Sequence, residues 1–290
     1  MILSSYSPGI MADLSPLSYA ARDVRRYDRD RFTTALFAPA DRREALFALY
    51  AFNSEIARVR EQVNEPMLGR IRLQWWRDGI AGLFEGRKSD DHPTAQALGA
   101  AITAHPLSKA HFEALLDARE LDLETGPPET FAALEAYAEA SAAPLNLLAL
   151  ELLGVDHAPS RTAARHVGIA WALTGLLRAT AYLAGSGRVM LPFDLLEAHG
   201  VDLDDLLNGR GSDGLTALAR EMERRIRAHL AEARQQKTPR AAAPALLCAS
   251  LAEGYLARLG KSGHDLFDTR WSMTQPRPLR LAWKSLTGGF

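Results

Sequence analysis

The sequence lacks the features of an exported protein. It contains one cysteine, Cys248, in 290 residues, so there is no partner for an intrachain disulfide and a reducing compartment is expected. The N-terminal stretch has neither the basic start and apolar run of a secretory signal nor the Arg-rich character of a transit peptide. These absences predict a cytoplasmic protein.

Long apolar runs and a surplus of charge of one sign are also missing. The apolar stretch before Arg178 is shorter than the about 20 residues that a membrane-spanning helix needs, so we expect at most peripheral contact with a membrane, such as the inner membrane. The formal net charge is −1, which provides no global field to attract nucleic acid. We therefore predict no nucleic-acid partner.

Alternating apolar and polar residues, the pattern of a half-buried strand, are rare, whereas alanine and leucine recur with helical periodicity. The sequence predicts one all-α domain over residues 1–290. Asp41 is expected to cap one helix and Pro66 to start the next. Further helices are predicted at about 93–103, 108–122, 130–153, 159–184, 214–235 and 241–260, between an irregular N-terminal arm and an irregular C-terminal tail.

The C-terminal tail, TRWSMTQPRPLRLAWKSLTGGF, combines tryptophans and basic residues with two prolines, Pro276 and Pro278. We expect it to pack as a strap across the helical body. A tail that binds a membrane or a partner is the alternative.

Three segments carry a resemblance to a known family: ALFALYAFNSEIARV, RLQWWRDGIAGLFEG and GRVMLPFDLLEAHGV. They resemble the squalene/phytoene synthase superfamily, over roughly residues 30–265. The resemblance implies an all-α helical bundle of the isoprenoid-synthase type around a central cavity. It also implies enzymes that join two prenyl diphosphates head to head, with Mg²⁺ held by carboxylates against the leaving group.

The first acidic motif of such enzymes is largely missing. The resemblance implies carboxylates one helical turn apart, at the positions of Ala57, Arg58 and Glu61. Only Glu61 is acidic. The arginine that the enzymes carry after the Tyr-Ala pair is replaced by Ser54, although Tyr50 is retained.

The second motif is lost in the same way. In GIAWALTGLLRATAYL the resemblance implies Gln, Asn and two Asp residues at Ala172, Gly175, Ala179 and Leu183, and only Arg178 survives. Too little negative charge then remains to hold Mg²⁺. The sequence predicts no catalytic residue, no metal ligand and no cofactor, and ordinary synthase activity is not expected.

The substituted motif itself resembles a non-catalytic branch of the superfamily, typified by the mitochondrial complex I assembly factor. That branch carries LRATPY, where this chain has LRATAY with Ala181. The resemblance implies a degenerate synthase that assists assembly of respiratory complex I or binds a prenyl lipid, with respiratory-complex subunits or a prenyl lipid as partners. The alternative is an active Mg²⁺-dependent prenyltransferase acting on farnesyl or geranylgeranyl diphosphate.

Candidate binding residues follow from the same resemblance. The expected lining of a retained cavity is Tyr50, Arg58, Glu61, Trp76, Tyr137, Arg178 and Arg188. Within this set and its surroundings, Arg58, Arg60, Arg178 and Arg188 could bind a diphosphate or a lipid headgroup in place of the metal cluster. Equally well, each could pair with a local acid such as Glu55, Glu61 or Asp194.

Other polar groups favour structural roles. The acidic stretch around Asp122, between Glu120 and Glu124, is interpreted as a solvated helix face. Trp76 and its neighbour Trp75 are expected to pack in the core unless one of them lines the cavity. The histidines lack the spacing of a zinc site.

Overall fold

The helices follow the apolar periodicity of the sequence. In a computed structural model, residues 17–63, 65–89, 91–124, 126–273 and 278–290 are described, and within these ranges the chain forms helices without any strand. The all-α prediction is therefore confirmed. The helices are α1 (Tyr19–Tyr27), α2 (Arg29–Ala35), α3 (Ala40–Ala57), α4 (Pro66–Phe84), α5 (Pro93–Ala104), α6 (Lys109–Glu120), α7 (Phe131–Leu152), α8 (Ala158–Gly185), α9 (Phe193–Ala198), α10 (Leu203–Leu207), α11 (Asp213–Gln235), α12 (Ala243–Leu246), α13 (Cys248–Lys261), α14 (Thr269–Ser272) and α15 (Pro278–Thr287).

The centre of the fold is α8, which packs against α7, α11 and α13. Its inward face repeats small and medium apolar residues, among them Ala163, Val167 and Leu177, all fully buried. By length and composition alone α8 could cross a membrane, but 56% of its most apolar stretch is buried inside the fold. Burial of this kind is what a core helix of a globular domain shows.

The contact between α7 and α8 depends on one glycine. A Cβ atom on Gly168 would lie 3.0 Å from the backbone carbon of Ala142 and 3.0 Å from the backbone nitrogen of Ala143. Neither backbone atom can rotate away as a side chain could. Gly168 therefore sets how closely α7 and α8 approach.

The N-terminal arm is helical where the structure describes it, contrary to the expected irregular arm. Ser18 caps α1 by accepting a hydrogen bond from the Ala21 nitrogen at 3.1 Å. Ala20, Ala21 and Val24 are buried at helical spacing. The prediction was wrong because a helix this short needs tertiary contacts, here with α2 and α3. Residues 1–16 of the predicted arm lie outside the described residues.

Two further local expectations are corrected. The helix expected to be capped by Asp41 begins at Ala40, with Pro39 in the cap position. Asp41 lies in the first turn, where its carboxylate is favoured by the helix dipole. The predicted helix at 241–260 is divided into α12 and α13 at Leu247.

The C-terminal tail packs on the body, as the strap interpretation expects, but it contains two helices rather than irregular chain. Trp271 in α14 and Leu281 in α15 are buried, and so is Phe290. Residues 274–277, with Pro276, are outside the described part. Pro278 occupies the start of α15, where its missing N–H costs no hydrogen bond.

A partly buried histidine pair between α8 and α11 predicts a pH dependence of stability. Nδ1 of His166 lies 3.1 Å from Nδ1 of His229, whose Nε2 lies 3.0 Å from Glu135. Burial lowers the pKa of His166, and the positive charges of His229 and Arg165 lower it further, against weaker opposing effects of nearby acids. The folded protein therefore binds a proton at His166 less readily than the unfolded chain.

We expect the free energy of unfolding to fall as the pH drops below about 6.5, the usual histidine value. The measurement is the urea midpoint at pH 7.5 and pH 5.5 for the wild type and for His166→Asn. The variant should lose less stability over this interval. An equal loss in both proteins would contradict the assignment to His166.

Candidate functional site

A polar and aromatic cleft opens between α1, α3 and α4. It has a volume of about 450 Å³. Arg58 reaches it from the C-terminal end of α3, and Trp75 and Trp76 border it from α4. Trp76 is buried whereas Trp75 is exposed, because adjacent helical residues point about 100° apart. One tryptophan therefore belongs to the core and the other to the rim.

Arg58 is enclosed by aromatic and acidic groups of α1. Its guanidinium carbon lies 3.4 Å from the centre of the Tyr27 ring, a cation–π geometry. Nη2 lies 3.8 Å from Asp23, and Nε donates to the Ser54 carbonyl at 3.0 Å. Its charge is thus partly balanced by a carboxylate that lies outside the region of predicted resemblance.

Glu55, on the turn before Arg58, forms no ion pair with it, contrary to one of the two expectations for Arg58. Its carboxylate accepts a hydrogen bond from the Thr94 hydroxyl and lies 3.2 Å from Nε2 of His92. Burial raises the pKa of Glu55 against the opposing effects of Thr94 and His92. The cleft therefore contains the Glu55 carboxylate and the Arg58 guanidinium from the C-terminal end of α3, and the His92 imidazole from the start of α5.

The face of α8 that would carry the second acidic motif borders open space. Ala172, Gly175 and Ala179 are only half-buried. A Cβ atom on Gly175 would meet no atom of the described residues within 4 Å. Leu183 is the buried member of this set. The side chains along this face are therefore small and apolar.

Arg178, beside that face, contacts residues from both the N-terminal and the C-terminal parts of the chain. Nη1 lies 3.3 Å from Asp30 of α2. Nε and Nη2 donate to the Ser272 carbonyl at 3.2 Å and 3.0 Å. The guanidinium also stacks 3.7 Å from the ring centre of Tyr255, whose hydroxyl donates to Asp30 at 2.7 Å. The pairing acid is again one that the sequence did not indicate.

Tyr50 lies in a separate, fully buried network. Its ring centre is 5.1 Å from the Arg31 guanidinium. Arg31 also donates to the Asn146 side chain at 3.2 Å, and Asn146 donates in turn to the Ala164 carbonyl at 3.1 Å. Burial raises the pKa of Tyr50 beyond its ordinary value, so the hydroxyl stays protonated. This network ties α2, α3, α7 and α8 together.

Tyr137 and Arg188 converge on Asp122. The Tyr137 hydroxyl donates to the Asp122 carboxylate at 2.5 Å, and Arg119 bonds both groups, at 3.0 Å and 3.1 Å. Arg188 donates to the Asp122 carbonyl at 3.4 Å. The interpretation of this acidic stretch as a solvated face was wrong for Asp122, which is largely buried, because the arginines and Tyr137 compensate its charge.

The predicted lining residues therefore fall into separate groups. Arg58 and Trp76 share the cleft, and Tyr137 and Arg188 share the Asp122 cluster. Tyr50 and Arg178 lie in two other networks, and Glu61 is exposed in a short 3-10 turn. Asp194, offered as a partner for arginine, instead accepts from the Phe131 nitrogen at 3.0 Å and caps α7.

Sequence reasoning missed four residues that shape these groups: Asp23, Tyr27, Asp30 and Tyr255. The available signal was the run DVRRYDRDRF at 23–32, where acidic and aromatic residues recur at helical spacing. Among the described residues, no three His, Cys, Asp or Glu side chains are grouped so that they could hold a metal ion.

Comparison with known proteins supports the resemblance carried by the three motifs. A family model described as squalene/phytoene synthase matches residues 24–277. The chain belongs to this family. Within the squalene/phytoene synthase family it is similar to NADH dehydrogenase (ubiquinone) complex I, assembly factor 6, of Bos taurus, with 31% identity over 251 residues that cover 86% of this chain and 75% of the relative.

The family likeness extends to synthases. The chain is 30% identical to presqualene diphosphate synthase of Rhodopseudomonas palustris over 203 residues, which cover 67% of this chain and 69% of the relative. The crystal structure of a dehydrosqualene synthase in complex with ligand superposes with a TM-score of 0.80 at 20% identity, covering 93% of this chain and 94% of that one. This likeness confirms the predicted isoprenoid-synthase fold.

Proposed function

We propose that this chain no longer condenses prenyl diphosphates and acts instead in the assembly of an NADH dehydrogenase of the complex I type. The observation that carries the proposal is the set of side chains at the motif positions. Ala57, Ala172 and Ala179 offer no ligand atom, and Arg58 is cationic. Mg²⁺ requires oxygen ligands, so these positions do not fit the ion.

The two arginines at the motif positions support the same conclusion. Arg58 is paired with Asp23, and Arg178 with Asp30. Each charge is thus balanced within the chain, without a metal-bound diphosphate. Such compensation stabilises a fold in which the former metal positions carry no acid.

The assembly role rests on similarity to proteins named as complex I assembly factors, with 30% or 31% identity in mammals. A synthase is the second candidate, because a presqualene diphosphate synthase is 30% identical over a shorter stretch. The two functions differ in chemistry: a synthase releases pyrophosphate, whereas an assembly factor binds a protein client.

A surface suited to a protein client lies on the first half of α4. Met67, Leu68, Ile71 and Trp75 are all exposed on this helix. The surrounding charges are mixed, with Arg72 and Glu65 both exposed. An apolar patch with a mixed polar rim is typical of protein–protein contacts. We assign this patch, the α4 face, to the client.

The first experiment tests the absence of synthase chemistry. Purified protein is incubated with farnesyl and geranylgeranyl diphosphate, Mg²⁺ and NADPH, and pyrophosphate release and lipid products are measured. We expect no turnover above the level without protein. Turnover would overturn the proposal and establish the synthase alternative.

The second experiment tests the client. The tagged wild type should co-purify NADH dehydrogenase subunits from its host, and Met67→Ser/Leu68→Ser/Ile71→Ser should lose most of this recovery. Leu121→Ser, on an exposed leucine of another element, is the matched control and should retain it. No enrichment of these subunits with the wild type would refute the assembly role.

Binding of a prenyl lipid without turnover is a further property that we propose for the open, apolar face of α8. Replacing Gln, Asn and Asp by Ala172, Gly175 and Ala179 leaves room beside Arg178 for an isoprenoid chain. A prenyl diphosphate or prenol should then raise the thermal midpoint of the protein. An unchanged midpoint at saturating concentration would exclude it.

A further inference from the structure

Helix α15 presents its apolar side to solvent. Leu279 is 86% exposed, Trp283 68% and Leu286 61%. The spacing i, i+4, i+7 places these three side chains on one face of a helix. A helix with an exposed stripe of leucine and tryptophan has the composition of segments that lie in a membrane interface. We call this stripe the α15 face.

The opposite side fixes α15 to the body, so the α15 face is held outward. Leu281 is buried, and Arg280 donates to Glu253 of α13 at 3.0 Å. Nε of Arg240 donates to the Ser285 carbonyl at 3.1 Å. These bonds anchor both ends of the helix. The α15 face is therefore exposed because the other side of the helix is packed on the body, and not because the helix is detached.

The charge around the α15 face is mostly positive. Helix α15 itself contains two basic residues, Arg280 and Lys284, and no Asp or Glu. Arg234 of α11 lies close by and shares Glu253 with Arg280. Burial lowers the pKa of Lys284, and the positive charges of Arg234 and Arg280 lower it further. One carboxylate thus faces several cations on this side of the molecule.

We propose that the α15 face docks on an anionic lipid bilayer. Trp283 and the two leucines would enter the headgroup boundary, and Lys284, next to Trp283 in the chain, would lie near acidic headgroups, while Arg234 and Arg280 add positive charge behind the helix. The contrast with the α4 face favours a bilayer here, because that patch carries both signs of charge and this one carries an excess of positive charge. The docking is independent of the assembly role and of any prenyl lipid on the α8 face.

The test measures flotation of the full chain with phosphatidylcholine vesicles that contain either no phosphatidylglycerol or about 30% of it. This content is about that of a strongly anionic membrane. The wild type should float with the anionic vesicles and much less with the neutral ones. Leu279→Ser/Trp283→Ser/Leu286→Ser should reduce the bound fraction at least tenfold. The matched control is Met67→Ser/Leu68→Ser/Ile71→Ser, which removes the same number of exposed apolar residues and should bind as the wild type does.

A second readout does not depend on the triple variant. Brominated lipids should quench part of the tryptophan fluorescence of the wild type, and Trp283→Phe, which keeps the face apolar, should lose that part while still floating. Equal flotation with neutral vesicles, no flotation, or loss of binding only in the α4 variant would each overturn the proposal. So would a dimer in sedimentation that the α15 variant dissociates, because the face would then be covered by a second copy.

Discussion

Replacing Arg31 by methionine is expected to lower the free energy of unfolding by about 3 kcal/mol. Arg31 is 3% exposed, and its guanidinium donates to Asn146 and lies over the Tyr50 ring. Nε lies 3.5 Å from Asp28. Methionine fills a similar volume but provides no donor. The fully buried Asn146 oxygen would then lose its donor, and the partly buried Asp28 carboxylate would lose its nearby positive charge.

The measurement is the midpoint and slope of urea unfolding, with circular dichroism as the signal. Arg29→Met is the control, because Arg29 lies on the same helix and is exposed, and it should change stability by less than about 0.5 kcal/mol. Similar midpoints for the two variants would mean that the buried network contributes little. Arg31→Lys should recover only part of the loss, because an ammonium lacks the planar fork that serves two partners at once.

The contacts of Arg31 with Tyr50 and Asn146 show which features the sequence predicts and which it does not. Helix α8 was predicted within one residue at each end, because its periodicity is local. The partners of Arg178 and Arg31 lie 148 and 115 positions away in the chain, at Asp30 and Asn146. No local pattern encodes such pairings. They follow from how α2 packs against α3, α12 and α13, with the Arg31 side chain reaching Asn146 of α7.

The same limit applies to the candidate site. The loss of the motif acids could be read directly from Ala57 and Ala179. The compensation of Arg58 and Arg178 could not, because Asp23 and Asp30 belong to helices in a stretch that was expected to be irregular. The two observations are physically linked. Removing acids beside the retained Arg178, and placing Arg58 where the resemblance implies an acid, leaves positive charge to balance, and in this fold α1 and α2 provide the carboxylates.

Gly168→Ala is expected to lower the free energy of unfolding by about 1–3 kcal/mol, although alanine is the better helix former. The added methyl would lie 3.0 Å from backbone atoms of α7. Backbone cannot rotate away from the methyl, so α7 and α8 must separate, and the buried contacts along both helices loosen.

Gly175→Ala, on the same helix, provides the control that isolates this effect. Its Cβ meets no described atom within 4 Å, so only the intrinsic preference for alanine remains. That variant should gain up to about 1 kcal/mol. The opposite signs of two identical substitutions, seven residues apart, would locate the constraint in the α7–α8 contact. If both variants gained stability, α7 and α8 could move apart without cost. The close packing at Gly168 would then not limit the stability of the bundle.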